Sequence, residues 1–182
     1  MHDKEIEENI LSLFGEEKTK VKGFNLLVDH FKNPIYYQVR RIVITHENTD
    51  DVIQEIFIKC WNKLDSFSGK SKLSTWIYRV AYNEAIQWIR KNKKEYHLEI
   101  SELKNENQPS NNIFSKDADE ISKKLELAIL QLPNKQKMVF HLKYFKELSY
   151  KEIQEITGGS IGGLKATYHH AVTKIKGLVS ID

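Results

Sequence analysis

The sequence has few of the features that mark secreted, membrane-spanning or disulfide-stabilised proteins. Cys60 is the single cysteine among 182 residues, so no disulfide can form within the chain, which suits a reducing compartment. The N-terminal segment MHDKEIEENILSLFGEEK is acidic and has no apolar stretch flanked by positive charge, so it does not look like a secretion signal. No apolar run approaches the roughly 20 residues that cross a bilayer. We therefore expect a soluble protein of the cytoplasm.

Motifs for catalysis and for metal binding are also missing. The sequence contains no H-E-x-x-H, no Cys/His spacing of a zinc site and no phosphate-binding glycine loop. Its carboxylates are scattered among lysine-rich helix surfaces instead of being paired. We therefore predict no enzymatic activity, no catalytic residue, no cofactor, no metal site and no small-molecule substrate.

The charge balance is nearly even, with 28 Lys and Arg against 25 Asp and Glu. This total does not by itself indicate a nucleic-acid partner. The positions of the charges matter more than their sum, so the pattern along the chain has to decide.

Apolar residues recur at intervals of three and four, as they do in amphipathic helices, and strand-like alternation is weak. The recurring positions are Phe24, Leu27, Val28, Phe31, Ile35, Val39, Ile42 and Val43, and then Val52, Ile53, Ile56, Phe57, Cys60, Trp61 and Leu64. Pro34 falls within the first group, and we expect a kink or a break there because proline lacks a backbone N–H. The pattern predicts an all-α protein.

A polar segment, NENQPSNNIFSKDADE, divides the chain and is typical of a linker. After it, helical spacing predicts four shorter helices over Leu125–Leu132, Pro133–Lys146, Ser149–Thr157 and Ile161–Leu178. We expect two small helical domains: an N-terminal bundle over residues 1–95 and a C-terminal four-helix domain over residues 122–182. A flexible linker over residues 96–121 joins them.

The last two predicted helices have the pattern of a helix-turn-helix. Ser149 and Glu152 have the spacing of a capping box, Gly158-Gly159 permits the backbone of a helix exit, and Ser160 can cap the second helix. A short helix, a glycine turn and a longer helix are typical of this motif. The expected inner side of the second helix carries Ile161, Leu164, Tyr168, Ala171 or Val172, and Ile175.

The outer side of that second helix is basic and free of acids. It carries Lys165, Ala166, His169, His170 and Thr173. Such a face suits the major groove of DNA, where phosphate charge dominates affinity, although a helical hairpin packed on another element has the same pattern. Adjacent helix positions point about 100° apart, so His169 and His170 are poor partners for one metal ion.

A second candidate surface lies in LSTWIYRVAYNEAIQWIRKNKK, residues 73–94. On a helix, the side expected to be buried carries Leu73, Trp76, Ile77, Val80, Ala81, Ala85 and Trp88. The opposite side carries Thr75, Arg79, Tyr82, Asn83, Ile86 and Arg90. Basic groups interleaved with rings and an amide favour backbone phosphate and unpaired bases. A basic helix end also complements the helix dipole without any ligand.

Two long segments, in this order, resemble bacterial sigma factors of the extracytoplasmic-function (ECF) type, in the sigma-70 family. They are DDVIQEIFIKCWNKLDSFSGKSKLSTWIYRVAYNEAIQWIRK and LPNKQKMVFHLKYFKELSYKEIQEITGGSIGGLKATYHHAVTKI. The resemblance covers roughly residues 20–94 and 125–178. It implies core RNA polymerase and promoter DNA as partners, and promoter-specific initiation of transcription as the function.

The resemblance also implies a role for individual residues. The residues expected to bind core polymerase are Asp51, Gln54 and Glu55. Those expected to hold the opened minus-ten element are Phe67, Ser68, Gly69, Lys70, Ser71, Lys72, Arg79, Tyr82, Asn83 and Arg90, with Trp76 supporting the loop. Those expected to read the minus-thirty-five element are Ser160, Gly162, Gly163, Lys165, Ala166, His169, His170 and Thr173.

The second helix of the helix-turn-helix departs from the commonest pattern of the family. Many relatives carry a Ser-Arg pair and further arginines where this chain has Ala166-Thr167, His170 and Val172. Fewer arginines predict weaker bidentate readout of guanine. We hypothesise that Gly162 and Gly163 let backbone N–H groups approach phosphate at the helix start.

Two further expectations concern function and partners. The alternative function is that of a helix-turn-helix regulator whose N-terminal domain senses a ligand or dimerises, and which binds DNA without polymerase. The resemblance also implies an anti-sigma protein, frequently at the inner membrane, that occupies both DNA-binding faces.

Overall fold

The computed structural model describes residues 3–43, 45–94, 96 and 120–179, which are helical apart from turns and short loops. The helices are α1 (Asp3–Phe14), α2 (Lys20–Val43), α3 (His46–Lys63), α4 (Leu73–Lys91), α5 (Glu120–Leu130), α6 (Asn134–Phe140), α7 (Tyr150–Thr157) and α8 (Ile161–Val179). A 3₁₀ turn follows α3, and a π-helical turn follows α6. Most of the predicted linker lies outside the described residues. In the described part, no helix is both long enough and apolar enough to span a membrane.

The four helices α1 to α4 form the N-terminal module and enclose one apolar core. Its most deeply buried side chains include Ile10, Leu27, Phe31, Ile35, Ile56, Leu73 and Ile77. Cys60 of α3 belongs to this core and has no exposed surface. Burial raises the pKa of its thiol to about 12, so the sulfur stays protonated at physiological pH.

The close approach of α1 to α2 depends on Gly23. A Cβ atom at Gly23 would lie 2.6 Å from the backbone nitrogen of Phe14 and 2.9 Å from the carbonyl carbon of Leu13. Next to this contact, the Phe14 ring meets the edge of Trp61 with 5.6 Å between ring centroids. The absence of a side chain at Gly23 therefore sets the position of α1 on the bundle.

Helix α2 continues through Pro34, so the expectation of a break there is wrong. The helix runs from Lys20 to Val43 and buries Phe31, Ile35 and Val39 on either side of the proline. It packs against α1, α3 and α4. Most helical stability in proteins comes from such packing, and here it holds the helix together despite one missing backbone hydrogen bond.

The buried side of α4 is wider than the sequence predicted. Thr75, expected on the exposed side, is 3% exposed. Tyr78 and Ile89 are also buried, although neither was assigned to the core. Three residues that were expected to be buried are only partly buried: Trp76, Val80 and Trp88. The reason is that α4 packs not only on α2 and α3 but also on α7.

The C-terminal module contains α5 to α8, and its turn follows the sequence prediction. The Ser149 side chain accepts a hydrogen bond from the Glu152 backbone N–H, and the Glu152 carboxylate accepts one from the Ser149 backbone N–H, which completes the capping box. Gly158 and Gly159 have φ angles of 73° and 88°, in the left-handed region that favours glycine. The helix-turn-helix geometry is therefore fixed by local residues.

Two details of this module differ from the sequence prediction. Helix α5 begins at Glu120, five residues before the predicted Leu125. Ile161 is 40% exposed instead of buried, while Leu164, Ala171 and Ile175 are buried as expected. Ile161 is the first residue of α8, where the preceding turn leaves it at the edge of the core.

The two modules are packed together and share one apolar cluster. Met138 and Leu142, together with Ile153 and Ile156 of α7, belong to the same buried cluster as Ile77 of α4. Polar contacts accompany this packing. The hydroxyl of Tyr96, the first residue after the N-terminal module, donates to Asn134 Oδ1 at 2.8 Å.

Arg41, near the end of α2, makes several contacts across this interface. Its Nη2 donates to Glu126 Oε1 at 2.9 Å, and its guanidinium carbon lies 4.2 Å from the centroid of the Phe145 ring. Its Nη1 lies 3.2 Å from Nδ1 of His141. Because arginine only donates hydrogen bonds, Nδ1 must accept, and the imidazole is neutral.

His141 is held in this neutral form by its surroundings. It is 3% exposed, and burial, with Arg41 and then Lys146 nearby, lowers its pKa to about 3. Its Nε2 atom is buried without a hydrogen-bond partner among the described residues. A proton added to this ring would therefore be a buried positive charge facing an arginine.

We expect Gly23→Ala to lower the free energy of unfolding by about 1–3 kcal/mol, because the added methyl group must displace backbone atoms of α1. Gly177→Ala is the matched control, since no atom lies within 4 Å of a Cβ there. In α8 that substitution should stabilise the protein, by at most about 1 kcal/mol. Urea unfolding followed by circular dichroism measures both, and equal effects of the two substitutions would contradict the close-packing account.

We expect the protein to lose stability as the pH falls below about 6.5, the pKa of an unperturbed histidine. Between that pH and about 3 the unfolded chain binds a proton that the folded His141 does not. The loss should be about 0.7 kcal/mol per pH unit near pH 6.5 and should approach about 1.4 kcal/mol per pH unit from about pH 5.5 downward. Glu152, whose pKa is lowered to about 2 by Lys72, contributes only at lower pH, below its unfolded value.

Unfolding curves at pH 7.5, 6.5 and 5.5 measure this dependence. His141→Gln keeps an acceptor for Arg41 but cannot take up a proton, so its stability should vary less over this range. His169→Gln, on the exposed surface of α8, is the control and should keep the dependence of the parent protein. If His141→Gln and the parent show the same dependence, another group is responsible.

Candidate nucleic-acid interface

The loop between α3 and α4 forms the wall of a cavity. After the 3₁₀ turn Leu64–Ser66, Gly69 adopts a φ of 67°, a conformation that favours glycine and lets the loop reverse direction. The cavity has a volume of about 370 Å³, and its lining is Ser66, Phe67, Ser68, Lys70, Ser71, Trp76, Arg79 and Glu155. Five of the ten residues predicted for the minus-ten site therefore line one space: Phe67, Ser68, Lys70, Ser71 and Arg79.

The chemistry of this cavity suits a flat, polar ligand attached to phosphate. Phe67 and Trp76 form an aromatic wall, with their ring centroids 5.8 Å apart. Lys70 and Arg79 are exposed cations at its rim, and the serines supply hydroxyl groups. Rings, cations and hydroxyls together can stack a base and neutralise its backbone. Trp76, which was expected to support the loop from the core, is partly buried, contacts Phe67 and lines the cavity.

The start of α4 is capped by a residue that the sequence did not reveal. The Glu7 carboxylate of α1 accepts hydrogen bonds from the backbone N–H groups of Leu73, at 2.9 Å, and Ser74, at 3.3 Å. Lys72, the residue before the helix, makes no side-chain cap. A carboxylate at a helix N-terminus is favourable. No local motif could have predicted it, because Glu7 lies more than sixty residues away in the sequence.

The outer strip of α4 continues from the cavity along the helix. Arg79, Asn83 and Arg90 are exposed there, and Tyr82 is partly buried. Burial raises the pKa of Tyr82, and Arg90 opposes that shift. The strip therefore combines cations, an amide and a partly exposed ring, as predicted, without Thr75.

The residues predicted to bind polymerase form a compact patch on α3. Asp51, Gln54 and Glu55 are all exposed, and Val52 and Ile56 are buried beneath them. Ile58 follows on the same helix and is 52% exposed. The sequence analysis missed Ile58, although its spacing of four from Gln54 was a signal that the two share a face.

All eight residues predicted for the helix-turn-helix surface are exposed. The Ser160 hydroxyl accepts the Gly163 backbone N–H at 3.1 Å. That N–H is therefore already used in the helix cap, and the hypothesis of backbone contact with phosphate rests on Gly162. The rings of His169 and His170 lie 6.2 Å apart at an angle of 56°, which agrees with separate orientations.

Comparisons with known families match both modules. Residues 27–95 match the family model described as Sigma-70 region 2, and residues 122–175 match Sigma-70, region 4. Together the two matches cover more than half of the chain.

Named relatives agree with these matches. The chain is 35% identical over 156 residues to the ECF RNA polymerase sigma factor SigW of Bacillus subtilis, a match that covers 81% of this chain and 83% of that protein. It is 29% identical over 167 residues to the ECF RNA polymerase sigma-E factor of Escherichia coli K12, covering 85% of each. These alignments span both modules and the segment between them.

Solved structures share the fold. The sigma factor RpoE of Bartonella quintana, in complex with the anti-sigma factor NepR, has a TM-score of 0.72 and 22% identity, and the match covers 88% of this chain and 99% of that one. CnrH, in complex with the cytosolic domain of CnrY, has a TM-score of 0.69 and 17% identity, covering 97% and 99%.

Region 2 followed by region 4, with the cavity on the first and a helix-turn-helix in the second, defines a sigma factor. The chain belongs to the ECF subgroup of the sigma-70 family. It is thus a protein that directs promoter-specific transcription. Nothing in these comparisons supports the alternative of a ligand-sensing or dimerising regulator.

Proposed function

We propose that the N-terminal module, residues 1–95, binds core RNA polymerase and holds the opened minus-ten element. The C-terminal module, residues 122–182, reads the minus-thirty-five element, and residues 96–121 join the two. The observation that carries this proposal is the cavity between Phe67 and Arg79, which brings rings, cations and hydroxyls together next to the exposed strip of α4.

The cavity is the place for a base taken out of the DNA stack. Extraction of a base from the stack costs a few kcal/mol of free energy. Stacking of that base on an aromatic side chain contributes about 1–3 kcal/mol of binding free energy and so offsets much of this cost. Phe67 supplies the stacking surface, backed by Trp76. Arg79, Asn83 and Arg90 then lie along the path of the following nucleotides.

The patch on α3 is the contact for core polymerase. Asp51, Gln54 and Glu55 offer directional polar groups, and Ile58 adds an exposed apolar side chain next to them. A polar rim around an apolar contact is the usual composition of a protein interface. The buried residues beneath the patch, Val52 and Ile56, keep it in a fixed geometry.

The helix-turn-helix surface binds mainly through phosphate contacts. The outer face of α8 has Lys165 as its central cation, and His169 and His170 beside it. Phosphate contacts position a protein on DNA, and base contacts provide specificity. We therefore propose that the C-terminal module supplies modest sequence readout and that the cavity of the first module supplies more.

The protein acts without catalysis of its own, and the chemistry of transcription belongs to the polymerase. Several of its carboxylates serve structural ion pairs instead, among them Glu84 with Lys59 at 2.5 Å and Asp65 with Lys20 at 2.7 Å. One of the similar structures is a complex with the anti-sigma factor NepR, and another is a complex with the cytosolic domain of CnrY. We propose a partner of this kind for the present chain as well, and activity in the cytoplasm.

The test of the function is transcription in vitro. Purified chain and core RNA polymerase are incubated with a pool of genomic promoter fragments, and the transcripts are sequenced. We expect start sites that depend on the chain and share a common pair of upstream elements. A chain that fails to associate with core polymerase in a pull-down would overturn the proposal.

We expect Gln54→Ala and Ile58→Ser each to weaken binding to core polymerase by about tenfold, or about 1.4 kcal/mol, with little loss of stability because both side chains are exposed. Glu47→Gln, an exposed substitution in the first turn of the same helix, is the matched control and should bind as the parent does. Fluorescence anisotropy of the labelled chain, titrated with core enzyme, measures the three affinities.

We expect Lys165→Ala to weaken binding to a duplex that carries the minus-thirty-five element and to reduce the slope of log K against log salt by about 0.9, because one phosphate contact is lost. Lys22→Ala, an exposed substitution on α2, should leave the slope unchanged. The measurement is a salt titration of the holoenzyme on that duplex. An unchanged slope for Lys165→Ala would remove Lys165 from the contacts.

A further inference from the structure

The cavity proposed for the minus-ten base has one lining residue from the other module. Glu155 belongs to α7, the first helix of the helix-turn-helix, yet it lines the space formed by Phe67, Lys70 and Arg79. One turn earlier on α7, Glu152 Oε1 accepts a hydrogen bond from Nζ of Lys72 at 2.7 Å. Two carboxylates of the C-terminal module therefore lie at groups that would otherwise meet DNA phosphate.

A second contact holds the Glu152 carboxylate in its position next to Lys72. Its Oε2 accepts the backbone N–H of Ser149 at 2.9 Å, which is part of the capping box of α7. The pairing with Lys72 and these hydrogen bonds lower the pKa of Glu152 to about 2. It is therefore negatively charged at any physiological pH, as a DNA phosphate is.

Apolar packing holds α7 in place next to the cavity. Ile153 and Ile156, which alternate with the two acids along α7, are 0% and 3% exposed. They lie in the same cluster as Ile77 and Ala81 of α4. The acids are thus the polar edge of a packed helix-helix contact and not the ends of free side chains.

This packing is incompatible with simultaneous use of both promoter elements. Elements centred at minus ten and minus thirty-five are about 25 base pairs apart, or about 85 Å of duplex at 3.4 Å per base pair. A compact chain of this length has a radius of gyration of about 16 Å. With α7 against α4, the two DNA-binding surfaces cannot reach both elements, so the modules must separate on the promoter.

We propose that α7 is an intramolecular plug for the minus-ten site, in which Glu152 and Glu155 take the positions of nucleic-acid phosphates until the modules separate. The proposal rests on the proposed function of the cavity. The outer face of α8, with Lys165 and His169, stays exposed in the packed arrangement. The free chain therefore retains its surface for duplex DNA while its surface for single-stranded DNA is closed.

The test compares binding of the free chain to a single-stranded oligonucleotide of a minus-ten element found in the transcription assay. The variant is Glu152→Gln with Glu155→Gln, because glutamine can still complete the capping box but attracts neither Lys72 nor Arg79. We expect it to bind the oligonucleotide at least tenfold more tightly than the parent chain. Fluorescence anisotropy at fixed salt measures the affinities.

The matched control is Glu16→Gln with Glu17→Gln, two exposed acids between α1 and α2, which changes the net charge by the same amount. If the control gains as much affinity as the α7 variant, the effect is one of total charge and the plug is wrong. Hydrogen exchange of the free chain adds a second readout. The amides of residues 68–72 should exchange faster in the α7 variant only, and equal exchange in all three proteins would also overturn the proposal.

The substitution Arg79→Ala distinguishes a failure of the plug from a failure of the proposed function of the cavity. If the cavity does not hold minus-ten DNA, Arg79→Ala leaves chain-dependent transcription with core polymerase unchanged. If the cavity has that role but α7 is no plug, Arg79→Ala abolishes transcription, while the α7 variant binds the oligonucleotide no better than the parent chain.

Discussion

The packing of α4 on two sides is the constraint on which the rest of the structure depends. One flank lies on α2 and α3, and another lies on α7 of the second module. Thr75, Tyr78 and Ile89 are buried as a result, and only a narrow strip through Arg79 and Asn83 stays exposed. The same packing sets where the α3–α4 loop stands, and therefore the shape of the cavity between Phe67 and Arg79.

Acidic side chains of the chain itself occupy two positions near α4 that are suited to bind phosphate: the helix N-terminus and the side chain of Lys72. Glu7 accepts a hydrogen bond from a backbone N–H at the N-terminus of α4, and Glu152 accepts one from the ammonium group of Lys72. The ion pair between Glu152 and Lys72 lies near the surface, where such pairs contribute little stability, with a median of about 0–1 kcal/mol. In the proposed plug, the pair of Glu152 and Lys72 acts by competition, because a DNA strand has to displace it. A weak internal competitor can be displaced when polymerase binding supplies the free energy to separate the modules.

The sequence was sufficient where structure is set by neighbours along the chain, and insufficient where it is set by distant contacts. The capping box at Ser149, the glycine turn and the exposed face of α8 were all predicted, because each depends on residues within a few positions. The second buried flank of α4 and the cap by Glu7 were not, because they arise from segments 66 to 80 residues apart. The assignment of individual residues to polymerase or DNA remains a prediction from resemblance.

The burial of Cys60 has a consequence for how the protein can receive signals. Oxidants react with thiolates at accessible sites, and this sulfur is both enclosed and protonated. The chain has no other cysteine. Peroxide or disulfide stress can therefore reach this thiol only after the N-terminal core opens, so oxidation of Cys60 would report unfolding of the module and not a change at its surface.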